Sequence, residues 1–259
     1  MTNPKYFKSY RERLGFNSQR EAKEFFAAKD IKPSIDYDYI DGLNNRLKDI
    51  VNKINNLVVD SIRVENTTEF CNLNILEIFE KIKNNQILHR LNNQGRRPEE
   101  VYFSWIRGLV IANFFLNALS VIFEVPISNI RLIGDDDLSN IESFKRTPKA
   151  DLELKLHNGE LIRVEVQSGF QGINDIKQHK VLEAKRVKIT DSIASLVVHI
   201  DIYNGQVAFV RLDTIEDDSV NWITRQQMEG QTVFNIDSNH FLWRLTEIPP
   251  RFSDLEIQL

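Results

Sequence analysis

The stretch from Asp151 to Gln167 leaves the chain little choice of local structure. Asp151 to Leu156 alternates charged residues with Leu, and Leu161 to Gln167 alternates Ile162, Val164 and Val166 with Arg163, Glu165 and Gln167. A two-residue period is that of strands with two unlike faces, and His157-Asn158-Gly159-Glu160 between the runs supplies the turn residues of a hairpin. The segment therefore predicts two antiparallel strands.

The rest of the chain is organised around that hairpin. Residues 1–97 read as helices: Ser18 to Lys29 opens with a Ser-x-x-Glu capping pattern (Ser18, Glu21), and Asp41 to Val59 carries apolar residues at helical spacing. A break at Gly95 to Pro98 precedes a helix expected from Pro98 and Glu99 to Glu124, with proline in its first turn and Pro126 closing it. From Ile127 the period changes to a strand at Asn129 to Ile133, an acidic turn at Asp135 to Asp137 and a polar stretch to Lys149. After the hairpin come a helix from about Asn174 to Lys188, a strand Ser195 to Tyr203, an Asn204-Gly205 turn and a strand Gln206 to Leu212. This order predicts an α/β (α+β) fold, a mixed central sheet flanked by helices. It divides into a helical region 1–97, for DNA binding or dimerisation, and a core 98–259 with a C-terminal extension.

Composition excludes several classes of protein. With 259 residues, 42% hydrophobic and 27% charged, the chain can bury a sizeable core. Cys71 is the only cysteine, which rules out an intrachain disulfide and a thiolate metal cluster and fits a reducing, cytoplasmic compartment. The N-terminus has no uninterrupted apolar run of a secretory signal. Gly108 to Val125 is the longest apolar stretch, but Asn113, Asn117, Ser120 and Glu124 interrupt it, so it reads as a buried helix and not a membrane span. His89, His179, His199 and His240 lie too far apart for a zinc-type spacing.

The hairpin also carries the chemistry. Asp151 opens one strand, Glu165 lies near the end of the other, and Gln167 follows on the same face, because strand side chains repeat every two residues. Two carboxylates with an amide or backbone oxygen, such as that of Val166, make a hard-ligand site suited to Mg²⁺. Such an ion activates water and stabilises charge during attack on a phosphodiester. The plainer alternative is an exposed hairpin whose Glu153, Lys155, Arg163 and Glu165 pair across strands.

Pro148-Lys149-Ala150-Asp151, the hairpin, and Glu165-Val166-Gln167 together resemble the PD-(D/E)xK nuclease superfamily, to which many type II restriction endonucleases belong. The likeness covers roughly residues 99–203, including the order helix, three strands, helix, strand. It implies Asp151 and Glu165 as metal-binding acids, with Gln167 in the position of the catalytic lysine. Two departures stand out: Ala150, not proline, precedes the aspartate, and Gln167 is neutral. A lysine could come instead from the next helix, through Lys177 or Lys180. An upstream acid joins such sites from the preceding helix, for which Glu99 and Glu100 are the candidates; their alternative role is charge at a helix N-terminus.

Net charge is −4, so only local charge can favour nucleic acid. Lys81, Lys83, Arg90, Arg96 and Arg97 lie in a stretch with no acid, and Lys177, Lys180, Lys185, Arg186 and Lys188 face only Glu183. Side chains able to read base edges gather at Asn92, Asn93, Gln94, Arg96 and Arg97, and at Asn221, Arg225, Gln226 and Gln227. The expectation is an Mg²⁺-dependent type II restriction-like endonuclease acting on double-stranded DNA as a homodimer, with no membrane. The alternatives are a structure-directed repair or recombination nuclease of the same superfamily, or a non-catalytic DNA-binding protein.

Overall fold

A computed structural model of the chain describes residues 3–28, 31–91, 96–134, 150–226, 230–255 and 257. Helices fill the first part. α1 (Pro4–Leu14) and α2 (Gln19–Phe26) have no buried residues. Ser18 accepts the Glu21 N–H at 3.1 Å and Glu21 accepts the Asn17 N–H at 2.8 Å, so the Ser-x-x-Glu pattern does begin a helix. α3 (Tyr37–Leu57) starts earlier than its apolar spacing suggests, because Asp36 accepts the Tyr39 N–H and caps it. Its buried Ile40, Asn44, Leu47, Val51 and Ile54 recur every three or four residues and face the interior. α4 (Thr67–Cys71), a π-helical turn and α5 (Glu77–Asn84) follow.

The long apolar helix is in fact two, α6 (Pro98–Phe114) and α7 (Leu116–Ile122), bent by 46° about Phe115, whose backbone (φ −89°, ψ 4°) leaves the helical conformation. Among the described residues no single helix is long and apolar enough to cross a membrane; the bent pair passes by length and composition, and most of it is buried in the protein core.

A six-stranded sheet lies against these helices. Its strands are β1 (Ile130–Leu132), β2 (Leu152–Lys155), β3 (Leu161–Gly169), β5 (Ala194–Asp201), β6 (Gln206–Arg211) and β9 (Phe241–Arg244), in the order β1-β2-β3-β5-β6-β9. β2 and β3 form the expected hairpin, Leu152 opposite Val164 and Lys155 opposite Leu161. Every neighbouring pair is antiparallel except β3 and β5, which run parallel and are joined through α8 (Gln178–Asp191). The mixed α+β architecture is thus as expected.

The two faces of the sheet differ. Leu152, Leu154, Ile162, Val164, Leu196 and Val198 pack toward α3 to α7 in one large core, while Val197, Ala208 and Val210 pack with Val181 and Ala184 of α8 in a second. The larger core runs from Ile40 to Leu245, so the division proposed at residues 97 and 98 falls on the N-cap of α6 inside a continuous interior.

One expectation fails. The segment from Asn174 is not yet helix: β4 (Asp175–Lys177) joins β7 (Ile223–Arg225) and β8 (Gln231–Asn235) in a separate sheet ordered β4-β8-β7. Asp175 pairs with Asn235 and Lys177 with Val233, so backbone bonds to the distant C-terminal part override the local helical pattern.

Candidate active site

The register sets Leu152 against Val164, and continued by one residue it brings Asp151 toward Glu165. Asp151 lies just before β2, and its Oδ2 accepts the Val166 N–H at 2.7 Å. In a strand the N–H and C=O of one residue point to the same side, so the Val166 carbonyl leaves toward that same end of the hairpin. Asp151, Glu165, Val166, Gln167, Lys177 and Lys180 all line one cleft of about 310 Å³. The structure therefore brings the residues singled out on the hairpin and the two lysines to one place.

Lys180, in the first turn of α8, holds Glu165 Oε1 with its Nζ at 2.7 Å, both side chains largely shielded (25% and 16% exposed). A lysine from the following helix thus reaches the acid that the motif pairs with residue 167. Gln167 itself is tied down: its Nε2 donates to the Asp175 carbonyl at 2.7 Å and fastens β3 to β4. The first turn of α8 contains no acid of its own and has no side-chain cap, so the positive end of its dipole lies near the cleft and the Glu165 carboxylate.

The opposite wall comes from α6, through Ser104, Arg107, Gly108 and Ala112, none of which stood out in the sequence. Arg107 lies over the rings of Phe170 at 4.6 Å and Phe103 at 5.4 Å. Burial, and then the charge of Arg96, lower its pKa from the ordinary guanidinium value. The one signal for this wall was a charged residue followed by glycine inside an otherwise apolar helix. Lining the cleft are three cations (Arg107, Lys177, Lys180) and two carboxylates (Asp151, Glu165).

Among the described residues no group of three or more His, Cys, Asp or Glu side chains comes together. A divalent ion here would rest on two carboxylates completed by backbone carbonyl and water. That donor set fits Mg²⁺, which keeps several waters, and fits zinc poorly.

Other candidates are held elsewhere. Glu99 is buried, but its Oε1 accepts the Asp36 N–H at 2.8 Å and its Oε2 lies 3.4 Å from Arg97 Nε; it anchors the entry to α3. Glu100 accepts the Arg97 N–H at 3.4 Å as part of the α6 cap. Neither lines the cleft, and both serve the N-terminal turn of α6, which is the alternative role the sequence offered for them. Arg225 does not stand ready to read bases, since its Nε is 2.8 Å from Oδ2 of the buried Asp175 and this pair locks β7 to β4. Asn221 lines a different cavity, of about 1330 Å³, beside β6 and β8, and Gln226 is exposed. In the first basic group, Lys83 lies by Glu80 and the rings of Tyr37 and Phe79, and Arg97 by Asp36 and the Tyr39 ring. Lys81, Arg90 and Arg96 are exposed, and the charge of Arg96 is felt by Arg107 in the cleft wall. Asn92, Asn93, Gln94, Gln227, Asp135 to Asp137, Pro148 and Lys149 lie outside the described residues.

No family model, curated protein or solved structure matches this chain.

Proposed function

We infer that the chain is a metal-dependent nuclease, a type II restriction-like endonuclease that hydrolyses phosphodiesters of double-stranded DNA. The observation that carries this reading is Asp151 and Glu165 lining one cleft at the open end of the hairpin, with Lys180 on Glu165 at 2.7 Å and cations outnumbering carboxylates. The order of α6, β1, β2, β3, α8 and the parallel β5 supports the resemblance to the PD-(D/E)xK superfamily, because it places both acids on the central hairpin and the lysine on the helix that follows.

Asp151, Glu165 and the Val166 carbonyl would hold Mg²⁺. The chemistry that ion supplies when bound is activation of water and stabilisation of charge on the phosphate. Lys180 orients Glu165 and sets a positive charge beside it, placed to hold the attacking water by hydrogen bonding. Gln167 plays a positioning part: its bond to Asp175 fixes β3 two residues beyond Glu165. Arg107 and Lys177 supply cationic walls for the strand being cut. Action on palindromic sites would call for a homodimer, and a neighbouring DNA methyltransferase gene would favour restriction over repair.

Purified protein incubated with phage DNA and Mg²⁺ should give discrete fragments that disappear with EDTA. Asp151→Ala and Glu165→Ala should each abolish them while retaining DNA binding. Near wild-type cleavage by both variants would remove the site assignment. A smear would indicate a nuclease that reads structure or no sequence, and uncut DNA that is still bound would indicate a non-catalytic binding protein.

A further inference from the structure

α6 carries two features that its own packing does not explain. Arg107, half-buried over Phe170 and Phe103, makes no ion pair and no hydrogen bond with any described residue, although its guanidinium has five N–H donors. Its charged neighbour is another cation, Arg96. Beside it stands Gly108, in the interior of a 17-residue helix where glycine is the least favourable residue after proline. A Cβ built on Gly108 would meet no described atom within 4 Å, so no internal close contact requires the glycine. Both residues line the cleft that holds Asp151 and Glu165.

We propose that the Ser104, Arg107 and Gly108 face of α6 is a phosphodiester-binding wall: Arg107 takes the non-bridging oxygens of a backbone phosphate of duplex DNA, and the bare surface at Gly108 lets the sugar-phosphate backbone come close. This rests on the nuclease reading and deepens it, by assigning the contact that positions the DNA strand to a helix outside the hairpin motif. The chemistry is consistent on three counts. A guanidinium presents paired donors matched to phosphate oxygens. The two rings hold it in place before the ligand arrives, which reduces the rotamer freedom lost on binding. Ser104, three residues before Arg107 on the same helix face, adds a hydroxyl to the same wall. Lys177 stands across the cleft, so the strand would pass between cations on α6 and at the start of α8. Arg107 and Gly108 are positioning residues in this scheme, since neither is placed on the atoms that react.

The test is fluorescence anisotropy of a labelled, mixed-sequence DNA duplex with the full chain, in Ca²⁺ in place of Mg²⁺, repeated over a range of salt. Arg107→Ala should weaken binding about tenfold, the loss of one hydrogen-bonded charged contact. The slope of log affinity against log salt should fall by about 0.9, the value of one phosphate. Gly108→Ala should unfold at an equal or higher temperature than wild type, because alanine favours the helix, and yet bind more weakly; Gly108→Leu should bind more weakly still. That combination separates a ligand contact from a folding defect. Wild-type protein that cuts and binds duplex, with Arg107→Ala and both Gly108 variants binding at unchanged affinity and slope, would overturn this inference alone. Wild-type protein that neither cuts nor binds duplex would overturn the nuclease reading and this one with it.

Discussion

Arg225 separates two readings of the C-terminal part. As a base reader it would be dispensable for folding; as the counter-ion of Asp175 it holds the small sheet together. Asp175 has a side chain only 1% exposed, and its oxygens accept from Arg225 Nε at 2.8 Å and Nη2 at 3.4 Å and from Asn235 Nδ2 at 3.1 Å. Arg225→Met would leave that carboxylate buried with one amide donor. Removing one partner of a buried pair costs roughly 3–5 kcal/mol. Here Asn235 remains and Arg225 is itself 36% exposed to screening solvent, so the cost falls below that range. For a chain of this size that lowers the melting temperature by up to about 10 °C. Urea unfolding and calorimetry would measure it, with Asp175→Asn added as a second step. The double variant should recover much of the loss, because the uncompensated charge is gone. An Arg225→Met protein with an unchanged midpoint and slope in urea, but with lost sequence preference in cleavage, would refute the argument and restore Arg225 as a reader of bases.

Three further outcomes follow from the same geometry. Lys180→Met should slow cleavage by roughly 10²-fold or more, the usual size of a lost proton-handling or water-orienting group, with duplex affinity changed far less; equal single-turnover rates would remove Lys180 from the chemistry. Glu99→Gln should destabilise the protein by about 1–3 kcal/mol, by weakening the acceptor for the Asp36 N–H and the charge facing Arg97, and leave the cleavage rate per folded molecule unchanged; a fall in that rate at full folding would make Glu99 part of the site after all. Burial pushes His199 down to about 4 from its usual 6.5. Between those pH values the unfolded chain holds the proton and the folded one does not, so stability should fall as pH drops from about 6.5 to about 4, by up to about 3 kcal/mol. Comparing wild type with His199→Gln in urea at several pH values would show it, and identical pH profiles would exclude the effect.

What could be read in the sequence, and what could not, follows from the range of the forces involved. The hairpin was legible because its alternation is local: Leu152, Leu154, Ile162 and Val164 face the large core and Glu153, Arg163 and Glu165 face away from it. Asp151 and Glu165 were legible for the same reason, since a strand register fixes what stands opposite what. Lys180 could be suspected but not chosen over Lys177, because only the start of α8, displaced to Gln178 by β4, decides which lysine meets Glu165. β4 escaped notice because three residues show no period. Its pairing with β8, some 58 residues away, and the Arg225–Asp175 pair are bonds that local pattern cannot register. The bend at Phe115 lies within the apolar run between Asn113 and Asn117, where neither proline nor glycine marks a stop.

Charge shows the same limit in a form that bears on function. A net charge of −4 argues against a polyanionic partner only if the ligand senses the whole molecule. At physiological salt, exposed charges more than about 8 Å apart are largely screened, so a DNA strand entering a cleft responds to the few side chains around it. There Arg107, Lys177 and Lys180 outweigh Asp151 and Glu165, and a bound divalent ion would tip the balance further. The acidic excess elsewhere then discourages non-specific adhesion of nucleic acid to the rest of the surface. Under the proposed nuclease function, affinity for DNA would be concentrated at the cleft, where the scissile phosphate would sit.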